Sequence, residues 1–92
     1  MIASFGDSDT ELFASGLTPR RFQQIAHAAD LRLRQLNIAT SLNDLMIPKG
    51  NRLEKLRGTL QGYYSIRINR QWRIIFRWHQ RQPHNVSIVD YH

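Results

Sequence analysis

The stretch GYYSIRINRQWRIIFRW, residues 62–78, constrains the fold of this chain more than any other part of it. Its apolar residues recur at every second position on both sides of a polar break, which is the period of a half-buried β-strand. The apolar face comprises Tyr64, Ile66, Ile68, Trp72, Ile74, Phe76 and Trp78. The opposite face carries Arg67, Arg73 and Arg77. The pattern therefore predicts two antiparallel strands with one core face and one basic face.

The register of this hairpin follows from the same alternation. Ile68 and Trp72 both belong to the apolar face, so we expect them to flank a three-residue turn, Asn69-Arg70-Gln71. Such a turn requires Asn69 or its neighbour to adopt a left-handed conformation.

The next pair outward in that register is Arg67 opposite Arg73. Like charges directly across a ladder are destabilising. We therefore expect an anion or an acidic side chain between these two arginines, and Asp90 on the next strand is the candidate acid.

The N-terminal half is predicted to be helical. Residues 7–13 are expected to form a short helix with acids in its first turn. Apolar residues recur at spacings of three and four within residues 17–39, which indicates a longer helix. Thr18 is the predicted N-cap of that helix and Pro19 its first residue.

The other segments are shorter. Residues 1–5 are predicted to be a short strand, and Ser41 and Asp44 have the spacing of a capping box at the start of a short helix. Residues 48–58 are expected to be a turn-rich basic connector, and 82–85 a turn before a third strand. The fold class expected is α+β: one domain, residues 1–92, with the N-terminal strand and helices packed on one face of a small antiparallel-rich sheet.

Charge is concentrated in the second half of the chain. Thirteen Lys and Arg against seven Asp and Glu give a net charge of +6. Nine of the basic residues lie between positions 49 and 81, where Glu54 is the only acid. A clustered positive field is typical of a surface that binds a polyanion, most often nucleic acid, although a generally basic surface also aids solubility.

The composition also excludes several kinds of site and segment. The absence of cysteine excludes disulfides and cysteine-based zinc sites, and the spacing of His27, His79 and His84 is not that of metal ligands. With neither a leader peptide nor a membrane-spanning run in the sequence, we expect a cytoplasmic protein that does not contact a membrane.

The last three residues, Asp90, Tyr91 and His92, combine a carboxylate, a phenol and an imidazole. Cleaving RNA without a metal requires a base for the 2′-hydroxyl, an acid for the 5′-oxygen and cations for the charged phosphorane. An imidazole titrates near neutral pH, a carboxylate can orient it, and a tyrosine can stack on a base or donate a hydrogen bond. The alternative is a polar tail.

Strict alternation along the last strand would place Asp90 on the core face, so the strand must end, bulge or reach an open edge there.

Two further groups carry an interpretation from the sequence. Arg73, held on a strand beside Arg67 and Arg77, can clamp a phosphate with two hydrogen bonds. Glu54 and Arg57 lie three residues apart, which favours a surface ion pair between them.

The segments GNRLEKLRG (50–58), GYYSIRINRQWRIIFRW (62–78) and VDYH (89–92) together closely resemble the HigB toxins of the RelE/ParE superfamily of bacterial toxin–antitoxin systems. The resemblance implies a RelE-like fold and a ribosome-dependent endoribonuclease, an mRNA interferase that cuts the codon in the ribosomal A site and stops translation. It implies attack of the 2′-hydroxyl on the adjacent phosphate, with no metal and no cofactor. The implied partner is HigA, a helix-turn-helix antitoxin.

The family's functional residues carry over position by position. Arg73 matches the transition-state arginine of the family, and the C-terminal catalytic residues match Asp90, Tyr91 and His92. The cationic positions expected to bind RNA phosphate are Arg52, Lys55, Arg57, Arg67 and Arg77.

The chain departs from the family at two positions. Some members carry a histidine where Glu54 stands and a lysine where Arg57 stands. Because a guanidinium stays protonated near neutral pH, Arg57 is expected to bind phosphate and not to act as a base. Proton transfer is therefore assigned to His92, with Glu54 or Asp90 as the second group.

Two other functions remain open from sequence. One is a toxin of the same fold that binds DNA gyrase without catalysis, against which the terminal trio and Arg73 argue. The other is an RNA- or ribosome-binding module that blocks the A site without cutting, since binding and cleavage use the same cations.

Overall fold

The computed structural model describes residues 1–91 and has the predicted α+β architecture. Four strands form one antiparallel sheet in the order β1-β2-β3-β4. The strands are β1 (Glu54–Lys55), β2 (Tyr63–Arg67), β3 (Trp72–His79) and β4 (Gln82–Asp90), and the α-helices are α1 (Ser8–Ala14) and α2 (Ala26–Ile38). The short predicted helix is confirmed as α1, whose N-cap Asp7 accepts a hydrogen bond from the Thr10 N–H at 2.7 Å.

The β2–β3 hairpin has the predicted register. Arg67 lies opposite Arg73, and the Ile68 N–H donates to the Trp72 carbonyl at 3.0 Å, which leaves a three-residue turn. The expected left-handed residue is absent, because residues 69–71 all have negative φ. Instead the Asn69 Oδ1 accepts from the backbone N–H groups of Gln71 and Trp72, both at 2.8 Å. The side chain thus closes the turn without a strained backbone.

The connection between β3 and β4 differs from the prediction of a turn at residues 82–85. The turn is Gln80-Arg81, with φ of +51° and +64° at the two residues. Two successive left-handed residues match the twist of the flanking strands, which is why this two-residue loop is favoured even with side chains that disfavour positive φ. β4 consequently starts at Gln82, four residues earlier than the predicted strand.

The N-terminal segment is extended, as predicted, but it forms a single parallel bridge, Phe5 to Val86, and no regular strand. Val86 donates its N–H to the Ser4 carbonyl at 3.1 Å and accepts from the Gly6 N–H at 2.9 Å. The ladder between β3 and β4 is irregular at the same place, where Asn85 has a φ of +53°. This bulge turns the Val86 backbone groups toward the N-terminal segment.

The predicted long helix is divided in two. Residues Arg20–Ile25 form a 3-10 helix, and α2 begins only at Ala26. Thr18 is not the N-cap; Pro19 occupies that position and makes no side-chain cap. With three residues per turn, a 3-10 segment places residues i and i+3 on one side. Phe22 and Ile25 are accordingly both buried.

The short helix predicted after α2 is present as a 3-10 helix. A 3-10 helix spans Leu42–Met46, and the Asp44 carboxylate at its start accepts from the N–H groups of Thr40 (2.9 Å) and Ser41 (3.2 Å). These hydrogen bonds, first from Thr40 and then from Ser41, hold the pKa of the Asp44 carboxyl below its ordinary value. The predicted capping box is therefore confirmed.

The predicted connector contains β1 and two 3-10 turns, Lys49–Asn51 and Gly58–Leu60. Asn51 is fully buried, and its amide donates to Gln35 on α2 and to the Leu45 carbonyl. The connector is thus anchored to the helical layer, so the short strand β1 has a defined position.

The core lies between the helices and one face of the sheet. It contains Phe13, Phe22, Ile25, Ala29, Leu33, Leu36, Ala39, Leu45, Ile66, Ile68, Ile74, Phe76, Val86 and Ile88. The opposite face, here called the arginine face, presents Arg67, Arg73 and Arg77. In residues 1–91 no helix combines the length and the apolar character that crossing a bilayer requires.

Candidate active site

Arg73, at the centre of the arginine face, is held by groups from three elements. Its side chain is only 11% exposed, and its Nη2 donates to the Glu54 Oε1 at 3.0 Å. Its Nη1 donates to the hydroxyl of Ser65, a fully buried residue on β2, and lies 3.5 Å from the Arg52 carbonyl. Because Glu54 pairs with Ser65 across β1 and β2, the sheet itself sets the position of both acceptors.

A cleft of about 400 Å³ opens over this guanidinium. It is lined by Arg52, Glu54, Arg67, Asn69, Arg70, Arg73 and Tyr91. Four arginines face a single carboxylate among these residues, so the cleft attracts anions. We call it the Arg73 cleft.

Tyr91 forms one wall of the Arg73 cleft. Its ring centroid lies 5.5 Å from the Arg73 Cζ, within the range of a cation–π contact. The Tyr91 N–H donates to the Gln71 carbonyl at 2.6 Å, which fixes Tyr91, the first residue after β4, against the hairpin turn. Tyr91 is still 38% exposed, so its ring is accessible to a ligand in the cleft.

The structure brings five of the predicted site residues together in the Arg73 cleft: Arg52, Glu54, Arg67, Arg73 and Tyr91. Asp90 lies beside it, exposed at the end of β4 and opposite Trp72, where its Oδ2 accepts from the Gln71 Nε2 at 3.0 Å. The strand therefore ends at Asp90, one of the outcomes that the alternation allowed. His92 lies outside the described residues.

The structure differs from two predictions about ion pairs, one of Arg73 and one of Glu54. The acid at Arg73 is Glu54 from β1, where Asp90 from β4 was expected. The salt bridges among residues 1–91 join Glu54 to Arg73 and not to Arg57, so the predicted surface pair of Glu54 with Arg57 is wrong. The like charges of Arg67 and Arg73 each have an acceptor of their own: the Arg67 Nε donates to the Asn69 carbonyl at 3.1 Å, and Arg73 pairs with Glu54.

Three of the predicted RNA-binding cations lie elsewhere. Lys55 and Arg57 line a separate pocket with Leu56 and Gln61. Arg77 lies over the ring of Tyr63, with its Cζ 4.7 Å from the ring centroid.

Sequence reasoning missed Asn69 and Arg70 in the lining of the Arg73 cleft. It also missed Ser65, whose buried hydroxyl holds the Arg73 guanidinium. Ser65 carried a detectable signal, because the alternation places it on the arginine face between Arg67 and Tyr63. The two loop residues carried none, since alternation says nothing about where a turn directs its side chains.

A cavity of about 490 Å³ lies between the N-terminal segment and the two helices. Glu11 and Asp30 are among its lining residues, and Arg34, its one basic residue, is paired with Asp30 at 2.8 Å. Such a surface repels a polyanion, so this cavity is a poor site for nucleic acid. Over residues 1–91, the His, Asp and Glu side chains form no cluster of three or more that is able to hold a metal ion.

The Arg73 cleft can hold a phosphate group. A guanidinium that is almost fully covered and fixed by two side-chain acceptors presents its remaining edge in one orientation, which favours bidentate contact with phosphate oxygens. Glu54 competes for the same guanidinium, so an incoming phosphate must displace or share that carboxylate.

The chain matches the family described as the RelE-like toxin of the type II toxin–antitoxin system HigB, over residues 6–92. Toxin HigB-1 of Vibrio cholerae is 48% identical over 54 residues, which are 59% of this chain and 57% of that protein. Endoribonuclease HigB of Proteus vulgaris is 30% identical over 93 residues, and the alignment covers both chains completely.

Solved structures show the same fold. YoeB in its complex with YefM from Staphylococcus aureus superimposes with a TM-score of 0.62 at 22% identity, over 100% of this chain and 98% of that one. The YoeB dimer from the same organism gives a TM-score of 0.61 over 99% and 97%. Together with the match over residues 6–92, these findings place the chain in the family of RelE-like toxins of the HigB type II toxin–antitoxin system.

Proposed function

We propose that this protein is a ribosome-dependent mRNA endoribonuclease that cuts the codon in the ribosomal A site and so stops translation and growth. The observation that carries the proposal is the Arg73 guanidinium, fixed by Ser65 and Glu54 at the base of a cleft with three more arginines. The name of the Proteus vulgaris relative, an endoribonuclease, supports the same activity.

The reaction proposed is attack of a ribose 2′-hydroxyl on the adjacent phosphorus, with the 5′-oxygen of the next nucleotide as the leaving group. The bond between the phosphorus and the 5′-oxygen breaks, and a cyclic phosphate remains on the upstream fragment. Arg73 stabilises the additional negative charge of the phosphorane, for which a fixed donor is most effective. Arg67 and Arg52, which also line the cleft, hold the flanking phosphates.

The two proton transfers are assigned to side chains, without a metal ion or a cofactor. One group removes the proton of the 2′-hydroxyl and a second gives a proton to the 5′-oxygen. The candidates are His92, Asp90 and Glu54, of which Glu54 lies in the Arg73 cleft and Asp90 beside it. Tyr91 offers its exposed ring to a base of the bound RNA.

The partner we propose is a HigA-like helix-turn-helix antitoxin, with both proteins in the cytoplasm, where the ribosomes are. The YoeB toxin of this fold has been solved with the YefM antitoxin, which supports a protein partner for the fold. Co-purification of the chain with the product of an adjacent small helix-turn-helix reading frame tests the pairing, and failure to form a complex would reject it.

Mapping mRNA 5′ ends after brief expression tests the enzyme activity. We expect cuts in phase with codons in translated messages, reduced about 100-fold or more in Arg73→Ala, as for the loss of one preorganised donor to a charged transition state. Arg34→Ala is the matched control, because Arg34 pairs with Asp30 on α2 and does not line the Arg73 cleft. Growth arrest without cuts would overturn the proposal and favour a toxin that binds DNA gyrase or blocks the ribosome.

A further inference from the structure

Tyr63 and Arg77 form a stacked pair at the far end of the arginine face. They are direct partners across β2 and β3, and the Arg77 Cζ lies 4.7 Å from the Tyr63 ring centroid. Arg77 follows Arg73 by four residues on β3, which corresponds to about 13 Å along a strand. The pair therefore faces the same side of the sheet as the Arg73 cleft, too far away to contact the same phosphate. We call it the Tyr63–Arg77 pair.

The Arg77 guanidinium is positioned by its surroundings although the residue is exposed. The Tyr63 ring supports one side of it, and Gly62 leaves the room it occupies. A Cβ on Gly62 would lie 2.9 Å from the Arg77 Nη1, a contact that side chains do not make. The long Arg77 side chain is thus held in one position. Its ordering therefore costs less entropy when a ligand binds to the face of the guanidinium that Tyr63 does not cover.

The charge of Arg77 is also available. The salt bridges found within residues 1–91 involve Arg21, Arg34 and Arg73, and Arg77 is in none of them. On the other side of Arg77, β4 places His84, whose ring contacts that of His79 with centroids 5.7 Å apart. The Tyr63 ring, the Arg77 guanidinium and the His84 ring therefore belong to neighbouring positions on β2, β3 and β4. Such a row of planar groups is typical of a surface on which nucleobases stack.

We propose that the Tyr63–Arg77 pair is a second RNA subsite, on which a base of the strand bound in the Arg73 cleft stacks. This inference rests on the proposed function, because it places the same RNA strand across the arginine face. Arg77 then acts through its flat face, with Tyr63 beneath it and the base above, and not as a phosphate clamp. Such stacking tolerates any base, which suits a protein that must bind many messages.

The test uses the full-length protein and a short single-stranded RNA with 2′-O-methyl groups throughout, so that the 2′-hydroxyl cannot attack. Its dissociation constant is compared with those of matched strands that each carry one abasic nucleotide. For the wild-type protein we expect one abasic position to weaken binding by about tenfold, the size of a lost base stack. Arg77→Ala and Tyr63→Leu should weaken binding of the intact RNA by a similar factor and remove the penalty at that position.

Arg77→Lys separates stacking from simple charge, since lysine keeps the cation but lacks the planar guanidinium. We expect it to bind like Arg77→Ala. Wild-type affinity in Arg77→Lys would show a phosphate contact and overturn the proposal, as would abasic strands that bind the wild-type protein like the intact RNA, or no RNA binding at all. Arg34→Ala controls for net charge.

The proposed function is judged separately, by whether the wild-type protein cuts mRNA and Arg73→Ala does not. If cleavage depends on Arg73 but the Tyr63 and Arg77 variants bind RNA normally, only the second subsite is rejected. If the variants lose stacking but no cleavage occurs, the chain binds RNA through this subsite without being a ribonuclease.

Discussion

Glu54 on β1 and Arg73 on β3 form an ion pair over the intervening strand β2, with Oε1 and Nη2 3.0 Å apart. The two side chains differ in accessibility, because the Glu54 side chain is 51% exposed and that of Arg73 11%. Water therefore reaches the carboxylate but hardly reaches the guanidinium. Under the proposed function, Glu54 occupies the position next to Arg73 that a phosphate oxygen of bound RNA would take.

Glu54→Gln should bind RNA more tightly and cut it more slowly. Removing the carboxylate frees Arg73 for phosphate, so we expect the dissociation constant for an uncleavable RNA to fall about three- to tenfold, equivalent to about 1 kcal/mol. If Glu54 also transfers a proton, the cleavage rate falls, because an amide cannot take its place. Unchanged RNA affinity would contradict the competition between Glu54 and phosphate.

Ser65→Ala should reduce cleavage by about tenfold or more in a protein that still folds. The buried hydroxyl accepts from Arg73, and losing a hydrogen bond to a charged group costs about 1.5–3 kcal/mol of positioning. We expect the loss in kcat more than in KM, because Ser65 acts through Arg73 and does not contact the RNA. Ser87→Ala is the matched control: Ser65 and Ser87 both lie opposite Ile75, on its two sides. An equal effect of both variants would reject a role specific to Ser65.

The hairpin could be predicted from sequence to the residue because burial enforces its alternation. A shift of one position would place Ile74 and Phe76, both fully buried, in solvent and the arginines in the core. The same alternation predicted that Arg67 and Arg73 share a face, and hence the centre of the candidate site.

The partner of Arg73 could not be predicted, since β1 is only two residues long. Its position is set by pairing with β2 and by the buried Asn51, which are contacts between segments that no local pattern records. The Gln80-Arg81 turn was missed for a related reason. Neither residue favours a positive φ, so the twist of the sheet, and not the turn sequence, selects that conformation.

Asn69→Ala should destabilise the fold, because the Asn69 Oδ1 accepts two backbone hydrogen bonds in the hairpin turn. We expect a loss of about 1–2 kcal/mol, which lowers the Tm of a domain of this size by about 4–8 °C per kcal/mol. Asn69→Asp keeps the acceptor and should retain the Tm, but it places a second carboxylate in the Arg73 cleft and should weaken RNA binding. Thermal unfolding and RNA titration of both variants separate the two effects.

Asp44→Asn should lower stability at neutral pH, and the difference from the wild-type protein should disappear in acid. The N–H groups of Thr40 and Ser41 depress the pKa of Asp44 in the folded state below its ordinary 3.8. A depressed pKa means that the unfolded chain binds the proton more readily, so the stabilisation is complete above 3.8 and is lost as the pH falls through the folded-state value. Tm values of both proteins, from neutral pH down to well below 3.8, measure this. A difference that persists unchanged in acid would contradict the assignment.

Tyr91→Phe and Tyr91→Ala should have different effects on RNA binding, because the ring of Tyr91 contacts the Arg73 guanidinium at 5.5 Å and forms the exposed wall of the cleft. Tyr91→Phe keeps the ring, so its affinity for an uncleavable RNA should stay within about twofold of the wild-type value. Tyr91→Ala removes the surface on which a base stacks and should weaken binding by about tenfold. The backbone hydrogen bond from Tyr91 to Gln71 survives in both variants, so the backbone at position 91 stays in place. Equal losses in the two variants would assign the effect to the hydroxyl and not to the ring.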